Sequence, residues 1–246
     1  SKPAAGLYIL REVVLGHDLF DKAFKTYAER WRFKHPTPAD FFRTMEDASG
    51  TDLDWFWRGW FYTTDYTDIG IKDIKKYKVT DEPSERAISM YKRYGMTKDD
   101  LKGRYLFLTE MDANEKSTAT GADSYADIST LTEYLSDNFT EAERAELKNT
   151  KYFYEIVFEK PGGLVMPLLA EITYADGSKE NKYYPAEIWR FNDKEVRKVL
   201  GSEKEITAIV IDPNQLTSDV NQDNNSWPKK EQDSKFDTFK KKSVND

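Results

Sequence analysis

The 246-residue chain has no cysteine and only two histidines. The first absence excludes disulfides, thiolate metal sites and cysteine nucleophiles, and the second leaves little for imidazole chemistry. His17 and His35 are too far apart in sequence to form the paired ligands of H-E-x-x-H, and that motif is absent. Nor is there a phosphate loop, a dinucleotide fingerprint or a G-x-S-x-G elbow. No apolar run approaches the roughly 20 residues a membrane helix needs, and the start SKPAAGLYILREVVLG lacks the cleavage site that follows an apolar signal core. Basic excess is missing too. A formal charge of -7 argues against a general nucleic-acid binder, because phosphate contacts demand a basic surface.

What is present suits a folded, water-facing protein. With 39% hydrophobic and 14% aromatic residues the chain is too apolar for disorder, while a mean hydropathy of -0.77 marks a polar surface. Its length fits one large domain or two ordinary ones. Dense apolar residues over 7–15 predict a largely buried helix stopped by Gly16. That pattern begins by Ala4 with no capping segment before it, as expected of a piece cut from within a larger protein. Phe20, Phe24, Tyr27 and Trp31 give the spacing of an amphipathic helix, ended by His35-Pro36. Thr37, Pro38 and Asp40 predict an N-cap, a first-turn proline and a carboxylate at the positive end of a third helix reaching about Ala48. Ser49-Gly50 breaks it, and Thr51 is expected to cap a fourth helix that carries Leu53, Trp57, Trp60 and Phe61 on one face.

After Asp65 the character changes. Ile69, Ile71, Ile74, Tyr77 and Val79 predict a strand with an irregularity between Asp73 and Lys76. Helical spacing over 83–94 and 126–147, with a capping box opened by Thr140, predicts a helical insertion around a polar loop at 112–124. From Tyr152 the period becomes two or continuous in YFYEIVFEK, LVMPLLAEITY, KYYPAEIWRF and EITAIVIDP, with turns at Asp176-Gly177 and near Asp193. These segments predict an antiparallel β-sandwich with Pro167 and Pro185 at edges, strand starts or bulges. The expected fold class is multi-domain α and β. Residues 1–64 form a helical unit, 65–228 a β-sandwich with a helical insertion at about 84–147, and 229–246 a polar, lysine-rich tail.

Few residues invite a chemical role. His17 follows a helix-ending glycine and His35 precedes a proline, so both are read as helix-end or turn residues. The cluster Trp55, Phe56, Trp57, Trp60, Phe61 and Tyr62 could present a carbohydrate or peptide platform, but its helical spacing favours core packing at a domain joint. Asp219, Asn221, Asp223 and Asn225 alternate like the opening of a calcium loop. The glycine at the sixth position is missing, however, and Lys230 stands where the closing glutamate belongs, so a turn held by Asx hydrogen bonds is expected.

The run KPAAGLYILREVVLG followed by FDKAFKTYAERWRFKHPTPADFFRTMEDASGTDLDWFWRGWFYTT closely resembles the downstream part of the catalytic domain in aminopeptidase N-type zinc metallopeptidases, the gluzincin family. The resemblance covers residues 2 to about 64 without gaps. It rests on K-P-A-A, K-H-P-T-P-A-D-F-F, S-G-x-D-L and the Trp55/Trp60 spacing in that order. Residues 152 to about 228, with G-G-L-V-M-P, A-E-I-W-R and I-V-I-D-P-N, look like the β-sandwich that follows the catalytic domain in bacterial members. The resemblance implies that residues 1–64 are the C-terminal part of a thermolysin-like domain. It also implies that the zinc ligands, the general-base Glu and the exopeptidase loop lie upstream, with the transition-state Tyr immediately before Ser1. No catalytic, cofactor-binding or metal-binding residue therefore transfers to this chain, and Tyr8 is read as a packing residue.

The implied function is a scaffold for a zinc aminopeptidase, inactive alone, with the parent's upstream domains as partners and zinc and peptides belonging to the parent only. Homodimerisation through the first helices is expected. An extracytoplasmic or periplasmic location is favoured, and the competing readings are a protein- or glycan-binding sandwich module and a pseudoenzyme.

Overall fold

The computed structural model describes residues 1–80, 88–89, 92–97, 100, 105–110 and 131–229. The expectations for the 112–124 loop, for most of the 83–94 helix and for nearly all of the lysine-rich tail fall outside these residues. Among the described residues no helix is long and apolar enough to cross a membrane.

Four helical segments come first. Helix α1 (Lys2–Ile9) runs into a π-helical turn at Leu10–Val14, where Leu15 N–H bonds the Leu10 carbonyl at 2.8 Å. Gly16 then turns the chain into α2 (His17–Trp31). Helix α3 (Pro38–Ser49) opens with a complete capping box: Asp40 N–H donates to Thr37 Oγ1, and the Thr37 N–H donates to the Asp40 carboxylate at 2.8 Å. The first four backbone N–H groups of a helix have no intrahelical partners, so this reciprocal pairing fixes where α3 begins. Helix α4 (Asp54–Tyr62) differs from expectation, because its N-cap is Leu53 rather than Thr51. Leu53 offers no capping side chain; Glu46 at the end of α3 accepts the N–H of Leu53 itself at 3.0 Å.

Among the described residues, eight strands make two four-stranded antiparallel sheets. The first has the order β2-β1-β3-β6, from β1 (Gly70–Thr80), β2 (Tyr105–Glu110), β3 (Tyr152–Glu159) and β6 (Glu195–Ser202). The second has the order β5-β4-β7-β8, from β4 (Leu168–Tyr174), β5 (Lys179–Tyr184), β7 (Ile206–Ile211) and β8 (Ser226–Trp227). The irregularities of β1 flank the expected place. Register shifts at Ile71/Asp73 against β3 and at Lys76/Tyr77 against β2.

Three further differences stand out. The stretch read as a helical insertion contains strand β2 as well as α5 (Leu131–Asn138) and α6 (Glu141–Glu146). The segment after Pro185 is a 3-10 turn, Ala186–Trp189, because Pro185 has no N–H to continue a ladder. Strand β6 has no counterpart in the sequence reading.

One core joins helices and sheets. Ile9, Leu10, Met45, Leu53, Phe56 and Trp60 from the helices cluster with Ile74, Tyr154, Ile156 and Phe158 of the first sheet and Leu168, Ile172, Ile209 and Trp227 of the second. A smaller cluster buries Tyr77 and Phe153 beneath Leu131 and Tyr134 of α5. The Tyr154 hydroxyl of β3 accepts the Ile206 N–H at 2.8 Å and donates to its carbonyl at 3.3 Å, tying one sheet to the other.

Candidate functional site

The aromatic cluster of α4 lies where the helices meet the sheets. Phe42 of α3 stacks on Trp57 at 4.7 Å, and Phe56 stacks on Trp60 at 5.9 Å. Trp60 is enclosed, and its indole N–H donates to Met166 Sδ at 3.4 Å, just before β4. Trp189 donates to the Met166 carbonyl at 2.9 Å, so two indoles hold one methionine. Helix α1 crosses Trp60 at Gly6, where a Cβ would lie only 3.1 Å from the ring. Any larger residue there would require the Trp60 ring to shift by a few tenths of an ångström. Lys2, one turn earlier, donates to the Thr63 carbonyl at 2.6 Å and the Gly59 carbonyl at 3.3 Å, satisfying acceptors at the C-terminal end of α4.

The motif residues hold backbone in place. Gly50, in the left-handed region, ends α3, and its N–H bonds the Glu46 carbonyl at 2.7 Å. Asp52 accepts the Asp54 N–H at 3.0 Å, and Leu53 is fully buried. Gly162 passes so close to the Tyr66 carbonyl that a Cβ would sit at 2.4 Å. Asp212, in I-V-I-D-P-N, accepts the N–H groups of Leu216 at 2.8 Å and Thr217 at 2.7 Å, and the Thr217 hydroxyl at 2.6 Å.

The histidines stay apart. His17 opens α2 with Nε2 2.7 Å from Glu12, and His35 lies in the loop beyond that helix's last residue. Hydrogen bonding from His17, aided by Arg11, holds the Glu12 carboxyl below its usual range, and Arg11 does the same to Asp21. The 15 residues of α2, about 22 Å of helix, run from His17 towards His35 in the chain. Among the described residues the one cluster of three potential ligands is Glu46, Asp52 and Asp54, all carboxylates. Zinc sites draw on nitrogen or sulfur ligands, so these residues do not fit the zinc that the resemblance implies. Tyr8 is 53% exposed, which corrects its reading as a packing residue: it sits on the outer side of α1, whose enclosed side is made by Gly6 and Ile9.

The 219–225 segment forms Asx turns. Asn221 N–H donates to Asp219 Oδ1 at 2.9 Å, and Asp223 N–H donates to Asn221 Oδ1 at 3.4 Å. Its long-range contacts had no signal in the sequence. Asp219 Oδ2 accepts the Ile69 N–H at 3.2 Å across 150 residues, and Asn224 donates to Asp68 at 2.8 Å.

No family model and no curated protein matches the chain. Among solved structures, the aminopeptidase A of Legionella pneumophila in complex with aspartic acid is similar over 85% of this chain, at 10% identity and a TM-score of 0.44. The chain covers 16% of that protein's length. At this level the likeness supports no statement about activity.

Proposed function

We propose that this chain is the C-terminal portion of an aminopeptidase N-type zinc metallopeptidase. In the intact parent, which hydrolyses peptide bonds at N-termini, it stands behind the active site as a scaffold, and alone it is inactive. The reading rests on the ordered motifs of residues 2–64. Their side chains cap helices, close turns and fill the core, which suits a support better than a catalyst. Residues 1–64 would belong to the catalytic domain and 65–228 to the β-sandwich behind it. Lys2, bound to the end of α4, would hold the chain position immediately upstream, where the family's Tyr is expected. The carboxylate cluster of Glu46, Asp52 and Asp54 does not fit zinc, and catalysis in the parent would fall to its upstream residues.

The gene sequence upstream of Ser1 tests the proposal. An H-E-x-x-H, a further Glu and a Tyr directly before Ser1 would support it. Their absence, or one tightly held zinc per isolated chain with aminoacyl hydrolysis, would overturn it.

A further inference from the structure

Where residues 67–69 meet the loop 212–226, acidic and amide groups gather, and among the described residues no base pairs with Asp68 or Asp219. The Thr67 and Asp219 backbones form a parallel bridge, and Val220 N–H donates to the Thr67 carbonyl at 3.1 Å. Asp68 is buried and Asp219 is half-buried. Neither carboxylate forms an ion pair among the described residues. Asn224 lies on Asp68 through a 2.8 Å hydrogen bond, and Asn225 lies on Asp219 through one of 3.3 Å. Three buried oxygens on these segments, Thr67 Oγ1, Asn224 Oδ1 and Asn225 Oδ1, have no hydrogen-bond partner among the described residues. Thr67 is 1% exposed and Asn225 is 6% exposed, so bulk water cannot serve them.

Beside this cluster is a cavity of about 130 Å³, lined by Asp219, Asn225, Ser226, Gln215 and Gln222. The two glutamines hydrogen-bond to each other at 3.1 Å. Asp212, Gln215 and Ser218 all take left-handed backbone conformations, which concentrates strain in the loop that walls the cavity.

We propose that Asp68, Asp219, Asn224 and Asn225, with Thr67 beside them, form a calcium site that clamps the 212–226 loop to the start of β1. The donors are oxygens alone, which selects a hard cation. Calcium accepts six to eight such ligands in flexible geometry, whereas magnesium demands a tighter octahedron. Two carboxylates without a basic partner match a divalent charge. Rotating either asparagine amide by half a turn exchanges its nitrogen for the unpartnered oxygen, bringing it to the carboxylate side. Burial already holds the Asp219 carboxyl above its usual range, the cost a bound cation would offset. The arrangement is not an EF-hand, since Asp68 and Thr67 come from outside the 219–225 segment.

Calorimetric titration of the chelator-treated chain with calcium chloride, alongside thermal unfolding, tests the site. One calcium per chain is expected, with a Tm that rises with calcium more than with magnesium. Asp219→Asn should weaken binding about tenfold or more, and Asn224→Asp, by adding a third carboxylate, should tighten it about tenfold. The proposal fails if calcium leaves Tm unchanged, if magnesium acts equally, or if binding is lost with Asp52→Asn rather than Asp219→Asn. Should Asp219→Asn not fold, Asn224→Asp decides alone, and unchanged affinity in that variant overturns the site.

Discussion

The Tyr154 hydroxyl serves both backbone groups of Ile206 from the opposite sheet, inside a fully enclosed side chain. Tyr154→Phe keeps the ring and strands the Ile206 N–H and carbonyl. The expected cost is about 1–3 kcal/mol, the penalty for unpaired buried polar groups, read from urea unfolding. Tyr174 offers a pH handle on the same sheet. Burial first, and its hydrogen bond to Glu180 second, push its hydroxyl up to about 12. A group raised in the folded state contributes stability that is complete below its unfolded value and lost as pH rises through the folded one. The stability tied to Tyr174 should therefore fade between about pH 10 and about 12. Denaturant midpoints across that window should flatten in Tyr174→Phe, and an unchanged slope would refute the assignment.

Helix α3 shows what local sequence can specify. Thr37→Ala removes the side-chain acceptor for the Asp40 N–H and should cost about 1 kcal/mol by denaturant titration. The Thr37 backbone and hydroxyl hold the Asp40 carboxyl below its usual range. That contribution is complete above the ordinary carboxylate value and disappears as pH falls through the folded one, so the difference between wild type and Thr37→Ala should shrink in acid. Caps of this kind were legible because donor and acceptor lie three residues apart, as at Thr140 and Glu143. The start of α4 was not, since its N-cap Leu53 has no capping side chain and its N–H is held by Glu46 from another helix. Strand β6 escaped notice for a related reason: only partial burial on both faces blurs the alternation that marks a strand. The candidate cation site was half legible. Its Asx turns are local, but Asp68 and Ile69 arrive from about 150 residues away, a distance no sequence period records.

At the scale of the whole molecule, helices and sheets share one core, which bears on the 84–147 insertion and on the expected homodimerisation. Removing 84–147 would take away strand β2 and also Leu131 and Tyr134, uncovering Tyr77 and Phe153. Such a deletion should unfold at lower urea and show aggregation by light scattering; a variant as stable and monomeric as the parent would show that the satellite cluster contributes nothing. Self-association through the first helices would need Leu7, Tyr8, Val13 and Val14, because Ile9 and Leu10 are fully enclosed. Leu10→Asp thus probes folding rather than an interface. Finally, the contact from Lys2 to Thr63 brings the two ends of the helical unit together. Mechanical tension between a neighbour attached at Ser1 and the sheets would travel through this ammonium-carbonyl contact and leave α2 and α3 slack. The helices form a loop off the load path, and losing the Lys2 contact would put all of them in series with the force.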